Sequence, residues 1–207
     1  FGYPEKFETA QTMADVFSRI NDLNISKSDL NKIIHKDLKK LATEEHSIYQ
    51  EMLKRDKYFD FSTVQKAMLE LLKNKTFKNK IKKEYNFFLI DEYQDVNNVQ
   101  DEIFKNLSEP EYNLTVVGDQ DQSIYGWRGS SVDNLKDFAK EFNKKKINVK
   151  EFNLIENHRS TKNIISTANY LARREKKNQI KSFRNLDGEH PIVGHFRDDV
   201  SEAKYIV

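Results

Sequence analysis

Cysteine is absent from the 207 residues, so disulfides, thiolate zinc sites and cysteine nucleophiles are excluded, while a reducing compartment is permitted. Glycine is scarce at six residues, and none of Gly2, Gly118, Gly126, Gly129, Gly188 and Gly194 is followed by Lys. The sequence therefore lacks the Gly-x-x-x-x-Gly-Lys-Ser/Thr loop that cradles phosphates on backbone N–H groups. Long apolar runs are missing as well. The longest, Phe87-Phe88-Leu89-Ile90, is far short of the roughly 20 residues that span a bilayer. The start, Phe1-Gly2-Tyr3-Pro4-Glu5, has neither the basic nor the apolar stretch of a signal segment. The expectation is a soluble, cytoplasmic protein. An excess of one charge is also lacking: 35 Lys and Arg face 33 Asp and Glu, for a net charge of +2. Binding to a phosphate backbone then has to come from local patches.

What is present suffices for a sizeable core, with 37% apolar and 12% aromatic residues. The chain opens on Phe and stops at Tyr205-Ile206-Val207 inside what reads as an element, as a piece of a longer protein would. Residues 1–57 read as helices without strands. Thr9 is placed to cap a helix carrying Met13, Val16, Phe17 and Ile20 on one face. Ser28 precedes a second with Leu30, Ile33, Ile34, Leu38 and Leu41, and Thr43 starts a third with Ile48, Tyr49, Met52 and Leu53. A fourth follows Ser62, with Val64, Ala67, Met68, Leu71 and Leu72.

After Lys83 short apolar runs alternate with helix-period segments, the texture of βα units feeding a parallel sheet. Phe87–Ile90 and Leu114–Val117 suit strands buried on both faces, and Ile147–Leu154 is a third candidate. Helix spacing links Val96, Val99, Ile103 and Leu107, then Val132, Leu135, Phe138 and Phe142, then Ile164, Ile165, Ala168 and Leu171. Lysine-rich runs at 73–83, 144–146 and 173–181 read as solvated faces. The fold class is α/β with a helical N-terminal subdomain.

The chemistry sits at three strand exits. The first run ends in Asp91-Glu92-Tyr93-Gln94-Asp95. Ligands of an open α/β sheet lie beyond the carboxyl ends of its strands. A carboxylate there can hold Mg²⁺ while its neighbour orients the water that attacks a γ-phosphate. Asp and Glu can equally just favour the N-terminus of the next helix. The second run leaves through Gly118 into Asp119-Gln120-Asp121-Gln122-Ser123. There an amide such as Gln122 can donate to a phosphate oxygen and accept from water. Ile124-Tyr125-Gly126-Trp127-Arg128-Gly129 follows, with the only Trp. It is either a stacking platform for an unpaired base or a half-buried Trp beside an ion-paired Arg128. The third exit is Glu156-Asn157-His158-Arg159-Ser160-Thr161. Arg159 could reach an anion or serve a structural ion pair, and Ser160 is a good helix cap.

Taken together, Asp-Glu-Tyr-Gln-Asp, Val-Gly-Asp-Gln-Asp-Gln-Ser-Ile-Tyr-Gly-Trp-Arg-Gly and Asn-His-Arg-Ser-Thr resemble, in order and spacing, motifs II, III and IV of the UvrD/PcrA/Rep family of superfamily 1 DNA helicases. A fainter likeness runs from Phe1-Gly2-Tyr3 through Tyr58-Phe59-Asp60-Phe61-Ser62 to the end. The resemblance implies a partial RecA-like P-loop NTPase core: a helical 1B-like insertion over residues 1–57, the second half of motor lobe 1A over 58–148 and the start of lobe 2A over 149–207. It implies ATP and Mg²⁺ as cofactors. Single-stranded DNA and junctions of single- and double-stranded DNA are the implied partners. Asp91 corresponds to the Mg²⁺ carboxylate, with Glu92 at the metal site and as the base that activates water. Gln122 matches the γ-phosphate sensor, Arg159 the arginine of the second lobe, and Trp127 the base-stacking residue, with Tyr125 and Arg128 beside it. His158 stands where the family usually has a tyrosine that stacks on the nucleotide base, which puts base preference and pH dependence in question. With half an ATP site, the chain by itself is expected to hydrolyse no ATP. Two other readings remain: a binding module without turnover, and the motor of an AddA- or RecB-like helicase-nuclease.

Overall fold

In the structure, a computed structural model, residues 3–24, 29, 32, 35, 39–174 and 179–206 are described. Of the helix expected after Ser28, Leu30, Ile33, Ile34 and Leu38 lie outside them, while Leu41 opens a π-helical turn. The chain divides into two compact units, Phe1–Asn148 and Val149–Val207.

The first unit begins with α1 (Tyr3–Asp22). It starts a turn and a half before Thr9, with Pro4 in the first turn, where its missing N–H costs nothing. Thr9 is thus inside the helix rather than its cap. Thr43 lies in a π-turn (Leu41–Glu45) and donates its hydroxyl to Lys39 O at 2.7 Å. Then come α2 (His46–Asp56) and α3 (Phe61–Leu71). The cap of α3 is Asp60, not Ser62: Asp60 Oδ1 accepts from Thr63 N at 2.6 Å while Thr63 Oγ1 accepts from Asp60 N at 2.9 Å. Ser62 instead accepts from Asn21 Nδ2 at 2.9 Å, tying α3 to the end of α1.

Asn74 caps α4 (Lys75–Glu84). The strands β1 (Phe88–Ile90) and β2 (Leu114–Val116) pair in parallel, Leu89 opposite Thr115, and are joined through α5 (Asn98–Ser108). Leu72, Val99, Ile103 and Leu107 form the core, with Met68, Phe77, Ile81 and Phe88 against it. This is the 3.6-residue stripe of α5 facing α3, α4 and β1. The strands are covered on one face only. Leu89 is 77% exposed, against the expectation of burial on both faces, because side chains alternate along a strand and Leu89 points away from the α5 side. The unit ends in α6 (Val132–Lys144), whose Phe138 packs edge-on to Tyr93 at 5.6 Å and whose Phe142 does the same with Tyr112 at 5.2 Å.

A buried polar network holds α5, α6 and the exit of β1 together. Tyr93 donates its hydroxyl to Asp101, and Lys105 Nζ, itself buried, donates to Asp101 Oδ2 at 2.6 Å and to Glu141 of α6. Removing one partner of a buried pair leaves uncompensated charge and costs about 3–5 kcal/mol. Lys105→Met should therefore lower unfolding free energy by about that amount in urea titrations. A loss below about 0.5 kcal/mol, as at ordinary surface sites, would show that the network contributes little.

No strand forms over Ile147–Leu154, where the second unit begins. A strand needs a neighbour to satisfy its backbone, and here pairing begins only at β3 (Glu156–Asn157), parallel to β4 (Lys181–Ser182). Phe152 and Leu154 stay exposed. Helix α7 (Lys162–Leu171) starts after Thr161, so Ser160 is not its cap. The bend before it is closed by Asn157 Oδ1, which accepts from Arg159 N at 3.0 Å and Ser160 N at 2.6 Å. A last helix, α8, spans Asp199–Ile206.

Candidate nucleotide and DNA site

At the end of β1 the backbone stays bonded to the exit of β2. Val117 N donates to Ile90 O at 2.9 Å, and Tyr93 N donates back to Val117 O at 2.8 Å. Between these bonds Asp91 and Glu92 stand exposed while Tyr93 and Gln94 are buried. Glu92 adopts φ 52°, the left-handed region that non-glycine residues seldom occupy. Such strain persists where surrounding contacts fix it, and it gathers at functional sites. Asp91 Oδ1 accepts from Glu92 N at 2.9 Å, and Tyr93, wholly buried beside Asp101, anchors the turn from below. Burial and the Asp101 carboxylate push the Tyr93 phenol far up, so it stays a hydrogen-bond donor.

Gln94, 1% exposed, is the residue that sequence reading left without a role. Its Nε2 donates to Glu92 Oε2 at 2.6 Å, and its Oε1 accepts from Asp119 N at 3.0 Å. One amide therefore joins the first strand exit to the second. A Cβ on Gly118 would come within 2.6 Å of Gln94 Oε1, so glycine is required there for close approach rather than for backbone conformation. Beyond it, Asp119 Oδ1 accepts from Asp121 N at 3.0 Å, and Gln122, exposed, donates Nε2 to Asp119 Oδ2 at 3.1 Å. Among the described residues no group of three or more His, Cys, Asp or Glu could hold a metal. A Mg²⁺ bound here would take one or two carboxylates and complete its shell with phosphate and water, which is its ordinary habit.

The chain then turns through a short 3₁₀ segment, Gly126–Arg128, closed by Gly129 at φ 95°. Trp127 is 68% exposed. The Arg128 guanidinium lies 5.5 Å from the Tyr125 ring centre and 5.7 Å from that of Trp127, a double cation–π contact that holds both rings. Other exposed aromatics occur at Tyr58, Phe59 and Phe61, the last 92% exposed at the start of α3. Its neighbour Ser62 bonds to Asn21, and the adjoining Asp22 lies close to Gly129. In the sequence Phe61 stands out only as part of the aromatic run Tyr58-Phe59-Asp60-Phe61-Ser62.

In the second unit, Arg159 is exposed and its carbonyl accepts from Arg184 Nη1 at 3.0 Å. The His158 ring lies 4.3 Å from that of Phe183, and its Nε2 is 3.9 Å from Glu156 Oε2. Phe183 had no sequence signal, since only the pairing of β3 with β4 brings it beside His158.

Residues 3–143 match the UvrD/REP helicase N-terminal domain. The chain is 33% identical over 164 residues to a probable DNA helicase II homolog of Mycoplasma capricolum, covering 78% of this chain and 22% of that protein. It is 28% identical over 200 residues to the ATP-dependent DNA helicase PcrA of Leuconostoc citreum, covering 95% and 26% respectively. A putative ATP-dependent DNA helicase of Bacillus subtilis, YjcD, is 33% identical over 162 residues, or 77% of this chain and 21% of that one. The chain thus spans about a quarter of the length of the curated relatives it matches. Since the domain match covers well over half of the sequence and takes in both strand exits of the first unit, the chain belongs to the UvrD/REP helicase family.

Proposed function

We propose that this chain is the central part of an ATP-driven DNA helicase that moves 3′ to 5′ along single-stranded DNA and unwinds duplex at junctions. Residues 1–57 act as a 1B-like insertion, 58–148 as the second half of a RecA-like lobe 1A, and 149–207 as the start of lobe 2A. Asp91 holds Mg²⁺, with Glu92 beside it as the base that takes a proton from the attacking water. Gln122 senses the γ-phosphate, Arg159 meets the charge that spreads over the phosphoryl oxygens, and His158 stacks on the nucleotide base with Phe183 behind it. The ATP these groups handle needs a phosphate-binding loop that this sequence does not contain. Trp127, Tyr125 and Arg128 form a shelf for an unpaired base, with Phe61 as a second contact.

One observation carries this reading: the buried Gln94 amide bonds Glu92 on one side and Asp119 N on the other. The segment that begins at Asp119 runs through Gln122 to the Trp127 shelf. A displacement at the nucleotide carboxylates is thereby passed to the aromatic shelf through one side chain.

The shelf is tested with labelled oligo-dT followed by fluorescence anisotropy. Trp127→Ala should weaken binding by about 1–3 kcal/mol, the usual cost of removing a base-stacking aromatic, with the circular dichroism spectrum unchanged. Undiminished affinity in a folded Trp127→Ala would refute the shelf.

A further inference from the structure

The Trp127 turn rests on a carboxylate that the proposed chemistry does not use. Asp22, at the last position of α1, is 8% exposed. Its Oδ1 accepts from Asn97 Nδ2 at 2.9 Å, and the same Asn97 amide donates to Gln65 Oε1 at 2.9 Å. Asn97 also caps α5, accepting from Gln100 N at 2.8 Å. On the other side lies Gly129. A Cβ there would meet Asp22 Oδ2 at 3.1 Å and its Cβ at 3.2 Å, and φ is 95°. Glycine is doubly needed, for conformation and for contact. The exit of the turn is fixed as well: Ser131 N and Asn134 Nδ2 both donate to Val96 O at 3.1 Å. Asp22 is therefore the floor of the turn that holds Trp127, set at the end of α1 between the cap of α5 and Gly129.

We infer that Asp22 is a positioning residue for the Trp127 shelf, and that gaining or losing its proton resets the shelf and with it the grip on single-stranded DNA. The inference rests on the proposed DNA contact of Trp127, but its first test does not involve DNA. The physical reason is the poverty of the surroundings for a charge. An ionised carboxylate nearly removed from water wants several donors. The charged groups acting on Asp22 come from the side of α3: Asp60, which disfavours its ionisation, and Lys66, which favours it. α5 contributes the neutral Asn97 and Gln100, while Arg128 on the turn is engaged with the Tyr125 and Trp127 rings. His46 is one step removed, bonded to Asn21 at 3.1 Å. Burial, then Asp60, raise the Asp22 pKa from the usual 3.8 to about 6.

The folded protein holds this proton more tightly than the unfolded chain, so the associated stability is fully present below pH 3.8 and is lost as pH rises through about 6. Above that pH the ionised carboxylate draws water or Lys66 toward itself, and the contact with Gly129 loosens. A carboxylate that weakens the fold at neutral pH is costly, and costs of this kind are found where function requires them.

The test is the emission of Trp127, the only tryptophan, recorded from pH 5 to 8 without DNA. Wild type should show one transition with its midpoint near pH 6. Asp22→Asn, which keeps the acceptor for Asn97 but cannot ionise, should abolish it, and Lys66→Met should move the midpoint upward. Oligo-dT affinity should fall between pH 5 and 7.5 by a larger factor in wild type than in Asp22→Asn. The inference is overturned if the transition survives Asp22→Asn with the same midpoint, in which case it belongs to another group such as His46. It is also overturned if wild type and Lys66→Met both show flat emission. If Asp22→Asn does not fold, the Lys66→Met shift decides. A failure to bind oligo-dT at any pH would count against the proposed DNA contact and leave the emission result standing on its own.

Discussion

In a polypeptide that joins this chain to a phosphate-binding loop, Glu92→Gln should lower DNA-stimulated ATP hydrolysis by about 10²- to 10⁴-fold, the range that general base catalysis supplies. The substitution keeps size and shape but removes the carboxylate proposed to accept the proton. It also alters the clamp. Gln94 Nε2 now donates to a carboxylate at 2.6 Å, a charge-assisted bond stronger than the amide-to-amide bond that would replace it. Nucleotide binding should remain measurable, since Asp91 is untouched and Glu92 lies exposed, outside the packed core. The left-handed φ of 52° at this position suits Gln no better and no worse than Glu, so any loss of stability should come from the weakened bond to Gln94. Turnover near wild type would mean that Glu92 is not the base.

Arg159 should show the larger effect. Its planar, permanently charged fork matches the charge spread over phosphoryl oxygens during transfer, a role worth about 10³ to 10⁵ in rate where arginine fingers are removed or supplied. Arg159→Ala and Arg159→Lys in the same joined polypeptide should both cut turnover on that scale, because a lysine cannot reproduce the bidentate geometry. Single-stranded DNA binding without nucleotide should hardly change. Side-chain bonds to the Arg159 backbone, Arg159 N donating to Asn157 Oδ1 and Arg184 Nη1 donating to Arg159 O, fix the turn, so the exposed Arg159 side chain can be replaced without unfolding it. A lysine variant with close to full turnover would mean that charge alone, or nothing, is supplied from this position.

What could be read from the sequence was what is local. Helices α5, α6 and α7 announced themselves by apolar residues three and four apart, and β1 and β2 by short apolar runs between them. Elements that depend on a distant partner were misread. Ile147–Leu154 has the composition of a strand, but pairing chose Glu156–Asn157, opposite Lys181–Ser182. A helix was expected to follow Ser62, but Asp60 and Thr63 close a capping box that starts it at Phe61, and Ser62 bonds Asn21, 41 residues away. Leu89 was expected to be buried on both sides because a run of four apolar residues does not say which face a sheet leaves open.

The candidate site divides along the same line. Residue types at the three strand exits were visible one by one, since Asp91, Glu92, Gln122, Trp127 and Arg159 each bring chemistry suited to phosphate or to a base. The contacts that organise them were not. Gln94 reaches across 25 residues to Asp119 N, and Asn97 across 75 to Asp22. Only the parallel pairing of β1 with β2 and the packing of α1 beside α5 create those distances.

The most direct measurement of the central claim is quenching of Trp127 emission by oligo-dT in the chain as it stands. Trp127 is the only tryptophan and is 68% exposed, so a stacked base should quench it, saturably and more weakly as salt rises and counterion release loses its advantage. Duplex DNA of equal length should quench far less, because its bases are already stacked on one another. Saturable, salt-sensitive quenching specific to single strands is the predicted result. Tight binding of oligo-dT with Trp127 emission unchanged would contradict the account, for the DNA would then lie somewhere other than on the shelf.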